Sequence, residues 1–197
     1  MTRSLRQLSY AMLVAFAVVA LTLGYWMVVR SDQLLARDDN PRRILAEQRA
    51  VRGEVLDRSG RPLAQTIVDP ESGLVERSYP APAAAPVVGY YSVRFGVSGI
   101  EAAHDDLLRG ASLLTPGEAL QRDLLHQATV GGDVRLTLDV ELQRSVAELL
   151  EGHKGAAVVL SVPSGEVLAM ASAPTFDPNL IDEDWEDLRD DPDAPLL

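Results

Sequence analysis

Charged and apolar residues are unevenly distributed along the chain, and the longest run without charge lies within the first thirty residues. The twenty residues from Tyr10 to Val29 carry no charge. At about 1.5 Å of rise per residue, a helix of this length crosses the ~30 Å hydrocarbon layer of a bilayer. The pattern predicts a membrane anchor over residues 1–30, with residues 10–29 in the lipid bilayer. Because Arg3 and Arg6 precede the run, we expect a cytoplasmic N-terminus and an extracytoplasmic bulk of the chain.

A cleaved signal peptide is the alternative interpretation of this run. Such peptides have an apolar core of about 7–15 residues that ends at a cleavage site made of small residues. Here the core is longer and continues into Tyr25, Trp26 and Met27, which are too bulky for such a site. The sequence therefore predicts an uncleaved, single-pass anchor in the cell membrane.

The chain after the anchor is predicted to form a juxtamembrane stalk and a β-rich module, together residues 31–132. Apolar residues alternate on both sides of the turn sequence at 57–60, which predicts a β-hairpin. The proline- and alanine-rich run over 79–86 predicts an extended connector, since proline cannot donate a backbone hydrogen bond. Two predicted helices follow, each opening with a capping box in which a glutamate lies three residues after the N-cap. The paired residues are Ser98 with Glu101 and Thr115 with Glu118.

The last third, residues 133–197, is predicted to form a strand, a helix and a hairpin. Asp139 is expected to cap the helix, whose apolar residues share one face. These apolar residues are Leu142, Val146, Leu149 and Leu150. The turn at 163–165 separates two apolar runs that predict antiparallel strands packed against this helix. We place a domain boundary near 131–133 and expect an α+β fold for the whole chain.

Composition and charge restrict the function further. The 197 residues carry a formal net charge of −11, but residues 1–30 alone carry +3, so residues 31–197 carry −14. A protein that binds a phosphate backbone needs a basic face, and nucleic acid is therefore excluded as a partner. The absence of cysteine excludes disulfides, thiolate catalysis and cysteine-zinc sites.

Acidic residues and histidines do not form a convincing site. The run from Asp182 to Asp193 contains eight acidic residues but lacks the glycine that a calcium loop needs at its sharp turn, so a solvated acidic helix or loop is predicted. The three histidines are separated in sequence, and neighbouring positions on a helix point in different directions. They are His104, His126 and His153. Motifs for nucleotide binding, serine hydrolases and zinc proteases are absent. We assign no metal-binding and no cofactor-binding residue.

Short segments spread over most of the chain together resemble the start of a class B penicillin-binding protein. Each segment is weakly specific alone, but their order and spacing match the family pattern. Besides the anchor, the matching segments are 52–60 with 62–64, 96 with 98–101, 108–110, 136–139 with 142–143, 155–160, 164–172 and 176–179. The proline-alanine run followed by Gly89-Tyr90-Tyr91 is most similar to the actinobacterial-type elongation and division members.

The resemblance implies both a fold and a function. The fold would be a transmembrane anchor, an elongated pedestal or dimerisation domain over 31–132, and the beginning of a serine transpeptidase domain over 133–197. In this family a serine attacks the D-Ala-D-Ala carbonyl of a peptidoglycan stem peptide, and a lysine one helical turn later activates it. The implied partner is a polytopic glycosyltransferase of the cell-wall machinery. Stem peptides and β-lactams would bind only the full-length protein.

The sequence departs from the family pattern at the nucleophile. The S-x-x-K signature is absent, because the single lysine, Lys154, has Glu151 three residues before it. No S-x-N and no K-[ST]-G motif occurs either. We therefore assign no catalytic residue and expect the sequence to be an N-terminal part, truncated before the catalytic serine, that cannot be acylated. The alternative is a non-catalytic, membrane-anchored scaffold of the cell-wall synthesis complex.

Two sets of residues are candidates for contacts rather than for chemistry. Arg52, Asp57 and Arg58 could form a functional contact, but a role in fixing the hairpin through ion pairs is the prediction. Small residues in the anchor would let another transmembrane helix approach closely, although filler in a lipid-facing span explains them equally well. These small residues are Ala15, Ala17, Ala20 and Gly24.

Overall fold

A computed structural model of the chain describes residues 2–28, 50–70, 73–114, 117–118 and 130–192. The chain divides into two compact units, Met1–Leu45 and Ala46–Leu197. The second unit contains both the β-rich module and the α/β segment that the sequence predicts.

The described part of the first unit is a single helix, α1, Thr2–Val28. The window Arg6–Leu23 is long and apolar enough to cross a membrane, and none of this window is buried within the protein. The predicted anchor helix is therefore confirmed as a helix, while Val29 and the stalk that follows lie outside the described residues.

A four-stranded sheet organises the first half of the second unit. Its strands are β1 Val55–Leu56, β2 Pro62–Val68, β3 Val75–Ser78 and β6 Val134–Arg135, in the order β3-β2-β1-β6. β1 pairs antiparallel with β2 and parallel with β6. The predicted hairpin is confirmed, and its turn contains Gly60 at a φ of +91°, a left-handed conformation that glycine adopts without strain.

The predicted extended connector over 79–86 is wrong, because residues 82–86 are helical and several residues of the segment are buried. A 3₁₀ turn, Pro82–Ala84, continues into the short helix α2, Ala85–Val88. Both elements carry a proline in their first turn, where the missing N–H group costs no hydrogen bond. The alanines at 81, 84 and 85 are 1–8% exposed. Small methyl groups let this segment pack into the core, so burial determines its conformation.

A small hairpin and two short helices follow. Their bounds are β4 Tyr91–Ser92, β5 Gly96–Val97, α3 Gly99–Ala103 and α4 Asp105–Leu108, followed by a 3₁₀ turn at Ala111–Leu113. The predicted capping box is wrong: Ser98 lies at the N-cap without a side-chain cap bond, and its Oγ accepts from the Tyr90 N–H instead. The second predicted box depends on Thr115 and Pro116, which lie outside the described residues, as does His126.

The helix and the hairpin of the α/β segment form as the sequence predicts, but the strand expected beside them, β6, pairs instead with β1 in the four-stranded sheet. Helix α5 spans Val140–Leu149, and the strands β7 Gly155–Leu160 and β8 Val167–Ala173 pair antiparallel. The Asp139 carboxylate accepts from the N–H groups of Glu141 and Leu142, which confirms the predicted cap. Val146 packs on β8 with Leu142 and Leu150 beside it. Leu149 was predicted on the same face, but it is 79% exposed because it points away from the strands.

A 3₁₀ turn, Pro178–Leu180, precedes the acidic run, most of which lies in helix α6, Ile181–Asp190. Ile181, Trp185 and Leu188 pack against an apolar group that includes Tyr90 and Phe176, whereas most of the acidic side chains are exposed. The predicted solvated acidic helix is therefore confirmed. Among the described residues, no group of three or more potential metal ligands comes together.

Candidate functional site

The strongest concentration of buried charge is a cluster of Arg52, Arg77, Glu101 and Asp105, which we call the arginine cluster. Arg52 Nε lies 2.6 Å from Glu101 Oε2, and Arg52 Nη1 lies 2.7 Å from Asp105 Oδ1. Arg77 Nη2 lies 2.7 Å from Glu101 Oε1. The side chains of Arg52, Arg77 and Glu101 are 5%, 4% and 0% exposed. One buried carboxylate therefore holds two guanidinium groups.

The arginine cluster also ties down the backbone that precedes β1. Arg77 donates to Gly53 O at 2.8 Å, and Arg52 donates to Glu101 O at 2.8 Å. The Arg52 guanidinium lies 4.8 Å from the centre of the Tyr91 ring, a favourable cation–π geometry. Burial alone would lower the pKa of Arg52, but Glu101 and Asp105 raise it. The cluster thus joins the backbone just before β1 to β3 and α3 through charged hydrogen bonds.

A second buried carboxylate, Asp57, organises the turn between β1 and β2. Its Oδ1 atom accepts from Ser59 N at 2.7 Å and Arg61 N at 2.9 Å, and its Oδ2 atom accepts from Arg61 Nε at 3.1 Å. The side chain of Asp57 is 0% exposed. Although burial raises its pKa, the hydrogen bonds from Ser59, Arg61 and Val140 outweigh that effect and hold the pKa of Asp57 well below its usual range.

The same turn contacts the start of helix α5. Asp57 Oδ2 lies 3.5 Å from the Val140 N–H, and the Arg58 N–H donates to Leu138 O at 2.8 Å. Arg61 pairs with Glu141 on the surface. Exposed ion pairs contribute little stability, about 0–1 kcal/mol, so the buried contacts of Asp57 carry most of the attachment. The turn therefore fixes the N-terminus of α5 to the hairpin.

Gln143 connects three segments from the buried face of α5. Its Nε2 atom donates to Ala83 O at 2.8 Å and to Met170 O at 2.9 Å, while its Oε1 atom accepts from Met170 N at 2.8 Å. The side chain is 0% exposed. By pairing with both backbone groups of Met170, the amide takes the position of a neighbouring strand at the edge of β8.

Replacing Gln143 by leucine is expected to lower the free energy of unfolding by about 2 kcal/mol, because three buried backbone groups lose their partner while the volume stays similar. Urea denaturation of the full chain, followed by circular dichroism, measures this loss. Ser145→Ala, on the exposed side of the same helix, is the matched control and is expected to change stability by no more than about 0.5 kcal/mol. Equal effects of the two variants would contradict the role of Gln143.

Asn179, an exposed residue, makes a similar pair of hydrogen bonds to Tyr79 at the start of the 79–88 segment. Its Oδ1 atom accepts from Tyr79 N at 2.8 Å, and its Nδ2 atom donates to Tyr79 O at 3.1 Å. Tyr79 in turn accepts from the Tyr91 N–H through its hydroxyl. Burial, followed by the nearby Glu101 charge, raises the pKa of Tyr79. Together with Asp57 and Gln143, Asn179 forms what we call the junction.

The structure brings together only some of the residues that the sequence singles out. Asp57 is buried and fixes the hairpin turn, as predicted. Arg52 is buried but forms its ion pairs with Glu101 and Asp105 outside the hairpin. Arg58 is 45% exposed and lies 3.9 Å from Glu166. His104 and His153 are exposed.

The roles of four residues could not be predicted from the sequence. No local pattern indicates that Arg77 is buried or that Asn179 bonds to Tyr79, and the pattern around Glu101 predicts a helix cap. One pattern in the sequence could have indicated the role of Gln143. It is a polar residue next to Leu142, on the side of the helix that is buried.

Comparisons with known proteins agree with the resemblance found in the sequence. Residues 52–134 match the family described as the penicillin binding protein A dimerisation domain. The peptidoglycan D,D-transpeptidase PbpA of Mycolicibacterium smegmatis is 32% identical over 211 residues, covering 100% of this chain and 43% of the relative. PbpA of Mycobacterium tuberculosis is 30% identical, with the same coverage. The chain therefore spans less than half the length of these curated relatives.

Solved structures show the same similarity. Penicillin-binding protein A from M. tuberculosis, captured as an imipenem acyl-enzyme complex, matches with a TM-score of 0.66 and 31% identity over 77% of this chain and 38% of that one. The D,D-transpeptidase domain of a peptidoglycan glycosyltransferase from Eggerthella lenta matches with a TM-score of 0.62 and 37% identity, over 76% of this chain and 32% of that one. The predicted α+β fold is confirmed. The chain is homologous over its whole length to peptidoglycan D,D-transpeptidases of the penicillin-binding protein class, and its structure is similar to their N-terminal region.

Proposed function

We propose that this chain is the membrane-anchoring and positioning part of a peptidoglycan D,D-transpeptidase that cross-links stem peptides in cell-wall synthesis. The proposal divides it into an anchor over 1–30, a stalk and pedestal over 31–132 and the beginning of the transpeptidase domain over 133–197. Helix α1 would cross the cell membrane once, with the N-terminus cytoplasmic and the bulk extracytoplasmic, in agreement with Arg3 and Arg6 before the apolar run.

The observation that carries this proposal is the junction. Two buried polar side chains, Asp57 and Gln143, bond to backbone groups on the other side of the proposed domain boundary. The exposed Asn179 adds hydrogen bonds to both backbone groups of Tyr79. Buried polar groups are costly unless their hydrogen bonds are satisfied, so the two sides are held in one orientation. A pedestal that sets the height and direction of a catalytic domain requires such rigidity.

The chemistry itself would be supplied by groups outside this sequence. The chain has no S-x-x-K motif, so we assign stem peptides and β-lactams as ligands of the longer protein only. A polytopic glycosyltransferase is the proposed membrane partner of the anchor and pedestal. The competing function, a non-catalytic scaffold, would keep the anchor and the junction but would never position a nucleophile.

Labelling with a fluorescent penicillin tests the proposal. The chain alone is expected to acquire no covalent label, whereas a chimera joining it to the remaining, C-terminal part of M. smegmatis PbpA is expected to be labelled like intact PbpA. The chimera should also restore growth to cells depleted of PbpA. A chimera carrying Gln143→Leu loses one contact of the junction and should be labelled more weakly.

Two results would overturn the proposal. A stable penicillin adduct on the chain alone would place a nucleophile within it, contrary to the assignment. A folded chimera that is neither labelled nor active in cells would favour the scaffold, because the chain would then fail to position a competent transpeptidase domain.

A further inference from the structure

The segment that leads into the β-rich module and the segment that leads out of it lie side by side. We call residues 50–56 the incoming segment and residues 130–136 the return segment. The two run parallel, with Val51 opposite Val130 and Val55 opposite Val134. Parallel strands need a long connection between them, and here that connection is the intervening β-rich module. The module is thus a loop whose two ends are paired with each other.

Three backbone hydrogen bonds, each 2.8 Å long, connect the two segments along their length. Gly131, Val134 and Leu136 donate to the carbonyl oxygens of residues 51, 54 and 56 respectively. In the opposite direction, the Glu54 N–H donates to Asp133 Oδ1 at 2.8 Å. The pairing therefore continues beyond the two-residue strands β1 and β6 and extends from Val51 to Leu136.

The segments approach too closely for a side chain to lie between them. A methyl group added to Gly53 would lie 2.0 Å from Gly132 O, and one added to Gly131 would lie 2.4 Å from Gly53 N. The sequence predicts a domain boundary near 131–133, which includes Gly131 and Gly132. In the structure their lack of a side chain permits close backbone packing, which is a recognised use of glycine.

The return segment continues directly into the α/β segment. The Leu138 carbonyl accepts from Arg58 N, and the Asp139 N–H donates to Leu168 O on β8. Asp139 then caps helix α5. The paired backbones therefore give a direct route from the incoming segment to α5 and β8, in addition to the bonds that this segment makes with β2, β3 and the short helices.

We propose that the paired incoming and return segments form a mechanical joint that couples the membrane-proximal chain directly to the α/β segment. A pull on residue 50 and resistance from α5 act on opposite ends of two parallel strands. This geometry loads the connecting hydrogen bonds in shear, so they share the force and break together. The joint rests on the proposed tethering function, because only an anchored protein meets such a force.

Optical-tweezers measurements on the full chain in detergent micelles test the joint. Because the chain has no cysteine, Ala50→Cys and Arg144→Cys provide unique attachment points. In a shortened variant, residues 67–76 are replaced by Asn-Gly, which leaves the Thr66–Arg77 pair of the β2–β3 hairpin in place. The joint predicts one rupture step, at the same force in both proteins. The shortened variant should release about 28 Å less chain, at ~3.5 Å for each of the eight missing residues.

Asp133 supplies a second, independent readout. Asp133→Ala removes the acceptor of the Glu54 N–H and should make rupture roughly three- to tenfold faster at a given force, as expected for one hydrogen bond. Asp133→Asn keeps an acceptor oxygen and should behave like the unmodified protein. Asp133 is exposed, so we expect both variants to fold, and circular dichroism checks this.

The joint is overturned if the β2–β3 hairpin extends in a separate step before the main rupture. It is also overturned if the shortened variant ruptures as easily as Asp133→Ala. If Asp133→Ala fails to fold, the shortened variant still tests the joint, because the proposal requires its rupture force to equal that of the unmodified protein. Neither result depends on penicillin labelling, so a failure here is distinguishable from a failure of the proposed function.

Discussion

Replacing Glu101 by glutamine is expected to lower the free energy of unfolding by about 3–5 kcal/mol, the cost of removing one partner from a buried ion pair. The substitution keeps the volume of the side chain but removes the charge that Arg52 and Arg77 share. Both guanidinium groups are at most 5% exposed, so water cannot replace the lost carboxylate. Urea denaturation of the full chain at neutral pH, followed by circular dichroism, measures the loss.

Glu148→Gln is the matched control for this prediction. Glu148 is exposed on α5, and the same change of charge there is expected to alter stability by less than about 0.5 kcal/mol. A loss of similar size in both variants would mean that net charge, rather than the arginine cluster, determines the effect. Glu101→Gln would then have to be explained without the buried pairing.

The features that could be predicted from sequence depend on hydrogen bonds between near neighbours. The turn after β1 is closed by Asp57 bonding to residues two and four positions later, and the cap of α5 by Asp139 bonding two and three positions later. Such bonds need no partner far away in sequence, so a local pattern can predict them where no distant contact competes. The strands β7 and β8 were predictable for the same reason, because a short turn joins them.

The features that could not be predicted depend on partners far away in sequence. Glu101 satisfies the pattern of a helix cap, but its carboxylate bonds to arginines 49 and 24 positions earlier. Gln143 bonds to Ala83, 60 positions away. The alanine-rich segment is helical because the surrounding core buries it. In each case a distant contact replaces the local preference, and a single sequence does not identify that contact.

Substituting Asp57 by asparagine is expected to cost about 3 kcal/mol at neutral pH. The carboxylate is fully buried and accepts hydrogen bonds from Ser59 and Arg61. Hydrogen bonds to a charged group contribute roughly 1.5–3 kcal/mol each, and a neutral amide offers a weaker acceptor and an unwanted donor in the same place. The loss should also loosen the N-terminus of α5, which hydrogen exchange at Val140 would detect.

The pH dependence of this loss provides a sharper test. Because the folded state holds the pKa of Asp57 below its usual range, the ionised carboxylate stabilises the fold above about pH 4, the ordinary pKa of aspartate. That contribution is lost as the pH falls through the lower pKa of the folded state. The stability difference between the unmodified chain and Asp57→Asn should therefore be largest at neutral pH and shrink below about pH 4.

Asp106→Asn, at an exposed position, is the control and should show a small difference at every pH. A constant gap between pH 7 and pH 2 for Asp57→Asn would show that the buried turn does not lower the pKa of this carboxylate.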